Sequence, residues 1–349
     1  MKFRSWAAGV LAVSLLATAC GGDDTETETE TETGTATETA AETETDGEAA
    51  GDRADWPEKL VIGLVPSREA DVLVESAQPL ADALSEALGI EVEAFVPQDY
   101  TGLTEAMASG QADIGAFGPL GIVRAQERAN VDFILQSERF GSFTYHTQYM
   151  TNNPDKYCQD EPQADEDGFL FCNGTLDAEE GPVGGDAIAM LEAGTQLAFV
   201  DPSSTSGYLI PALQMQEQGV NLDELDSVFA GGHDAAVIAV VNGDVEVGLS
   251  FDDARGIVAE EFPEVGEKAV VFAYSEEIPN DGFVIRSELP DSLKQAVVEA
   301  MLQYAETEEG QQTLNEIYEI DGLREAEQGV LDVVRRADEQ LGDTLEEDG

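Results

Sequence analysis

The chain has 349 residues, 42% of them hydrophobic, with 73 Asp+Glu against 16 Lys+Arg and a formal net charge of -57. That length is enough for two lobes of ordinary size with real cores. The charge argues against nucleic acid as a partner, and against docking on an anionic membrane through basic patches, because both need Lys and Arg. A mixed acidic surface poor in Lys is what a protein facing high salt would carry, since screening removes the self-repulsion, so halophilic adaptation is an expectation.

Lys2 and Arg4 precede an apolar stretch from Trp6 to Leu16, and "LATAC" ends at Cys20. A short basic region plus a short apolar run reads as a secretory signal, too short for a permanent membrane helix. A cysteine after small residues resembles a bacterial lipobox, with Ala17 where Leu is more usual. Residues 1–20 are then a lipoprotein signal peptide and Cys20 the lipidated first residue of the mature chain; plain signal cleavage near the same place is the alternative. In residues 21–56 Thr and Glu alternate with almost nothing to bury, which predicts a disordered acidic tether. Together these features predict an extracytoplasmic domain held to the outer face of the cell membrane.

"KLVIGLVPS" begins the fold as a buried strand ending in a polar loop. Ala77, Leu80, Leu84 and Leu88 recur at helical spacing until Gly89 stops the helix. "IEVEAFVP" is a second strand, "LTEAMASG" a short helix and "ADIGAFGP" a third strand, so residues 57–148 predict an α/β lobe with a mainly parallel sheet. Cys158 and Cys172 flank an acidic, turn-rich segment. In an exported chain this spacing predicts a disulfide that staples a surface excursion, residues 152–182, at its base, contributing roughly 3 kcal/mol in the chain-entropy model. A second alternation of helices and strands makes residues 149–272 a second lobe, and residues 273–349 return to the first as largely helical chain, Leu289–Leu341. Two crossings, near Thr144–Thr151 and Val270–Arg286, predict a hinge over a central cleft.

The chemistry concentrates in "FVDPSSTSGYLIP". A strand ends at Asp201, Pro202 fixes a turn, and Ser203, Ser204, Thr205 and Ser206 stand at the mouth of a helix. The first N–H groups of a helix lack internal partners and its dipole favours a negative ligand, while hydroxyls add donors without charge. One hydroxyl suffices for a helix cap, so an unbroken run predicts an anion site, one that needs no positive side chain. A nucleophilic-serine reading finds no G-x-S-x-G and only two histidines, His146 and His233.

Four blocks then occur in order: "FVPQDYTGLTEAMASGQADIGAFGP", "AFVDPSSTSGYLIP", "AGGHDAAVIAVVNGDVEVGLSF" and "IPNDGFVIR". They resemble the phosphate/phosphite/phosphonate-binding receptors of ABC transporters, over roughly Lys59 to Ile320. The resemblance implies the two-lobed type II periplasmic-binding-protein fold. It implies Ser204, Thr205 and Ser206 as the main donors to the anion, with Tyr100 donating from the other lobe. Phe117 stands where the family has a second tyrosine, which removes one donor. His233 matches a G-H block, and Asp281 and Asp253 match acidic ligand contacts, with Asp252 as the substitute for Asp253. His146 lies on a hinge strand without a motif and reads as structural. The implied function is capture of a phosphonate, phosphite or phosphate for an ABC permease and its ATPase by a monomeric receptor without cofactor, metal or catalysis. A receptor for another small oxyanion or a sulfonate, or a sensor module for a membrane signalling protein, stands as the alternative.

Overall fold

The computed structural model describes residues 53–178, 181–327 and 329–347. The expected signal peptide, Cys20 and residues 21–52 of the tether lie outside the described residues. The first lobe opens with β1 (Lys59–Leu64), α1 (Ala70–Leu88), β2 (Glu91–Phe95), α2 (Tyr100–Ser109), β3 (Ile114–Phe117), α3 (Pro119–Arg128) and β4 (Val131–Glu138). Helix α1 buries Leu73, Ala77, Leu80, Ala81, Leu84 and Leu88, a stripe at the helical period that faces the sheet. Gly89 ends it at φ 71°, a left-handed conformation open to glycine, with its N–H on the Ser85 carbonyl. β1 lies parallel to both β2 and β3.

The chain leaves through β5 (Thr144–Tyr145) and builds the second lobe from β6 (Thr147–Thr151), α4 (Pro154–Tyr157), β7 (Gln163–Ala164), β8 (Leu170–Phe171), α5 (Gly185–Ile188) and β9 (Gln196–Phe199). A π-turn (Thr205–Leu209) runs into α6 (Ile210–Glu217), followed by β10 (Asp226–Phe229), α7 (His233–Asn242), β11 (Val247–Phe251), α8 (Arg255–Val258), α9 (Val265–Lys268) and β12 (Val270–Tyr274). It returns through β13 (Ile278–Pro279), which pairs with β5, to β14 (Gly282–Arg286), α10 (Asp291–Ala305), α11 (Glu308–Tyr318), β15 (Gly322–Glu325) and α12 (Asp332–Glu347). The sheets are six-stranded, β15-β4-β14-β3-β1-β2, and seven-stranded, β10-β9-β11-β6-β12-β8-β7. The short β5–β13 ribbon is where the chain passes between them, which gives the expected two lobes and two crossings.

Two expectations are corrected. The sheets are mixed rather than mainly parallel: β14 returns antiparallel between β3 and β4, and β6 lies antiparallel to β11 and β12. Each crossing brings a strand back in the opposite sense, and apolar strands read alike in either direction. The C-terminal stretch is not continuous helix either. Glu319 takes a left-handed φ of 57°, and Gly322–Glu325 then adds an edge strand to β4. Cys158 and Cys172 are joined, with Cα atoms 5.6 Å apart. Among the described residues no helix is long and apolar enough to cross a membrane.

Candidate functional site

The start of the hydroxyl-rich helix is built by two small exceptions to regular structure. Pro211 has no N–H, so the Gly207 carbonyl is left to accept the Val200 N–H at 3.0 Å, which ties the helix start to the end of β9. Gly207 fits only because it lacks a side chain: a Cβ there would lie 2.5 Å from Val200 and 2.8 Å from Ser204 Oγ. The first turn is wide, with the Leu209 N–H donating back to the Ser204 carbonyl.

Ser203, Ser204, Thr205 and Ser206 are all buried and all line one cavity between the lobes. The cavity sits beyond the carboxyl ends of β1, β2, β3, β4 and β9, the usual ligand position for such sheets. Its other wall is formed by Tyr100, the first residue of α2, by Gly118 ahead of α3, and by Tyr145 of the hinge strand. Its volume is about 40 Å³. At roughly 10–15 Å³ per water-sized sphere this is the space of about three waters, the size class of a tetrahedral oxyanion.

Two of the hydroxyls accept from backbone N–H groups. Ser204 Oγ accepts the Gly207 N–H at 3.1 Å, and Thr205 Oγ1 accepts the Leu120 N–H of the other lobe at 2.9 Å. An N–H group can only donate, so each hydroxyl keeps its single proton for an acceptor elsewhere. The Tyr100 hydroxyl is buried and has no hydrogen-bond partner among the described residues; burial, with Tyr318, Asp201 and Asp281 nearby, raises its pKa well above the ordinary phenol value. Tyr145 is held neutral in the same way by burial and Asp281, with Ser206, Arg139 and Thr205 nearby opposing the rise.

The expectation of a site without positive side chains is overturned. Arg68, in the loop after β1, and Arg139, just past β4, both line the cavity. Arg139 is 4% exposed, donates Nη2 to Glu319 at 2.9 Å, and has no partner for Nε among the described residues. Burial, partly offset by Glu319 and Tyr318, lowers the pKa of Arg68 from its usual value. Net charge is a sum over the chain and says nothing about where a few arginines gather. Both follow strand ends, the one local signal that could have flagged them.

His233 reaches the cavity wall, but its Nδ1 faces Ser250 Oγ at 2.8 Å. Burial and then the charges of Arg139 and Arg68 push it down to about 3, so it is neutral. Its backbone N–H donates across the cleft to the Ser67 carbonyl at 2.8 Å, so the lobes are in contact. Asp281 lines the cavity and is pushed up to about 6 by burial, against the opposing pull of Arg139.

Two expected site residues do not reach the cavity. Phe117 is 1% exposed and packs beneath it, where an added Cβ on Gly115 or Gly121 would strike its ring. Beside Tyr100, the tyrosines that line the cavity are Tyr145 and Tyr318. Asp253 turns away to Arg255, at 2.6 Å, and to Gln148 at 3.1 Å. Its substitute Asp252 pairs with His146, Oδ2 to Nδ1 at 3.1 Å, also off the cavity.

Comparison with known proteins follows the same lines. The chain is 29% identical over 267 residues to the phosphate-import protein PhnD of Mycolicibacterium smegmatis, covering 72% of this chain and 67% of that protein. It is 24% identical over 260 residues to the phosphonates-binding periplasmic protein of Escherichia coli, covering 74% and 70%. Among solved structures, PhnD1 of Prochlorococcus marinus in complex with methylphosphonate superposes with a TM-score of 0.66 at 18% identity, covering 82% of this chain and 99% of that one. A binding protein component of an ABC phosphonate transporter from Pseudomonas aeruginosa gives 0.66 at 20% identity, covering 80% and 85%. The model of the family described as "ABC transporter, phosphonate, periplasmic substrate-binding protein" matches residues 62–330, and the chain therefore belongs to that family of substrate-binding proteins.

Proposed function

We propose that this chain captures a phosphonate, phosphite or phosphate in the interlobe cavity and presents it to an ABC permease, without chemistry of its own. The observation that carries this reading is the Tyr100 hydroxyl, buried and unpartnered among the described residues, on the same small cavity as four hydroxyls and the unfilled Nε of Arg139. Ser203–Ser206, Tyr100, Arg68 and Arg139 would donate to the oxygens, and Asp281 and His233 would complete the wall. In this reading residues 57–148 and 273–349 form one lobe and 149–272 the other, closing over the ligand.

The reading extends to the chain's setting. Cys20 carries a lipid anchor and residues 21–56 a tether; Cys20→Ser should release the protein from membranes, and retention would count against the anchor. The acidic surface serves high salt; stability that climbs with molar KCl supports this, and indifference opposes it. Calorimetry with methylphosphonate, phosphite and phosphate, in salt, tests the function itself. At least one should bind with sub-millimolar affinity, and Thr205→Ala should weaken it about tenfold. Millimolar or weaker binding of all three would overturn the proposal.

A further inference from the structure

Arg124 stands outside the cavity, on α3 of the first lobe, yet it holds a residue of the cavity wall in the second. Its Nη1 donates to Ser203 Oγ at 2.8 Å and to the Pro202 carbonyl at 3.1 Å. Its other face is clamped by Asp338: Nη2 donates to Oδ1 at 2.9 Å and Nε to Oδ2 at 3.5 Å. Asp338 belongs to α12, which carries the buried residues Val334, Ala337 and Leu341 and packs on α3 in the first lobe and on α6 and the π-turn in the second. The last helix therefore lies across both lobes, and one guanidinium joins its flank to the anion-binding loop.

Among the described residues Ser203 Oγ has two neighbours for hydrogen bonding, and both come from the opposite lobe: Arg124, and Thr101 Oγ1 at 3.3 Å. An arginine can only donate, so it fills an acceptor position on Ser203 and leaves the serine proton for another acceptor. A guanidinium presents its donors in a rigid fork, and the Asp338 pair keeps that fork aimed whether or not Ser203 is present. On opening, Arg124 would keep Asp338 and lose Ser203 and Pro202. Its cross-lobe bonds thus exist only in the closed form, and a contact of that kind slows release without speeding capture.

We propose that Arg124, aimed by Asp338 of the C-terminal helix, is a positioning residue that latches the closed lobes and sets the release rate of the anion. The latch rests on the capture function proposed above, and its test separates the two. Association and release of methylphosphonate are followed by stopped flow on the full chain. Arg124→Met should release the anion about tenfold faster with association within about twofold. Arg124→Lys, which keeps the charge without the fork, should recover only part of the loss. Asp338→Asn should act in the same direction by a smaller factor, and adding it to Arg124→Met should change little more. These two milder variants carry the test if Arg124→Met does not fold.

A merely structural role would lower the urea midpoint of the ligand-free protein and leave the release rate within about twofold of wild type, which overturns the proposal. If wild type binds none of the three phosphorus anions, the capture function fails instead. The latch is then read by small-angle scattering of the ligand-free chain: a larger radius of gyration in Arg124→Met supports it, and equal radii overturn it.

Discussion

Two buried arginines are partnered in different ways. At the root of the stapled excursion, Arg255 is fully buried and each of its side-chain nitrogens has a partner. It makes a fork pair with Asp253, donates to the carbonyls of Leu170 and Ala269 at 2.9 and 2.8 Å, and lies over the rings of Phe169 and Phe171. Beside the cleft, Arg139 is buried almost as deeply, but Glu319 takes only one end, Phe251 covers one face, and Nε has no partner among the described residues. A desolvated cation with every nitrogen partnered is a strut. One with a donor left over, next to an unpartnered phenol and a row of hydroxyls, is what the proposed capture of an anion requires. The carboxylates divide the same way: Asp253 is paired with its arginine, while Asp281 faces the cavity and is pushed up to about 6.

Mutation separates the two arginines by their effect on anion affinity. Arg139→Met should cost about a hundredfold, since a charge-assisted bond in a closed site is worth roughly 1.5–3 kcal/mol. Calorimetry showing a change of only a few-fold would erase the distinction between the two arginines. Tyr100→Phe should weaken binding about tenfold while leaving the ligand-free melting temperature equal or higher, because the hydroxyl it removes is buried without a partner. A lowered melting temperature with intact affinity would make Tyr100 structural.

Asp281 gives the pH test. Its folded pKa, about 6, lies above the ordinary carboxylate value of 3.8. The folded chain therefore holds a proton in the window between those values that the unfolded chain has released, so ligand-free stability from this site falls as pH rises through the window. An incoming anion favours the protonated acid further. Affinity, measured relative to Asp281→Asn across the same pH series, should thus fall as pH rises through about 6; a constant ratio would remove Asp281 from the site. Smallest of all is Arg255→Met. It should leave affinity within about twofold while lowering unfolding stability by about 3 kcal/mol in denaturant titration, because Asp253 loses its partner.

What was legible in the sequence was local. "DPSSTSG" states its own geometry, since Pro, hydroxyls and Gly within one turn fix a strand end, a cap and a close approach. Tyr100 was singled out only through the family resemblance, while the disulfide was legible in the spacing of two cysteines in an exported chain. The arginines were not: Arg68 and Arg139 sit in separate loops with no motif around them, and only the sheet brings their strand ends to one edge. The misplacement of Asp253 had a local signal, an arginine two positions on in "DDARG", which competes for the carboxylate. Strand direction left no trace, because "GFVIR" packs equally well whichever way the chain enters the sheet.

The most direct test is a crystal structure of the full chain grown with methylphosphonate. The account predicts one tetrahedral ligand in the interlobe cavity, its oxygens within hydrogen-bond reach of Thr205 Oγ1, the Tyr100 hydroxyl and Arg139 Nε. A ligand bound elsewhere, or a cavity in which Arg139 turns away from the anion, would contradict it.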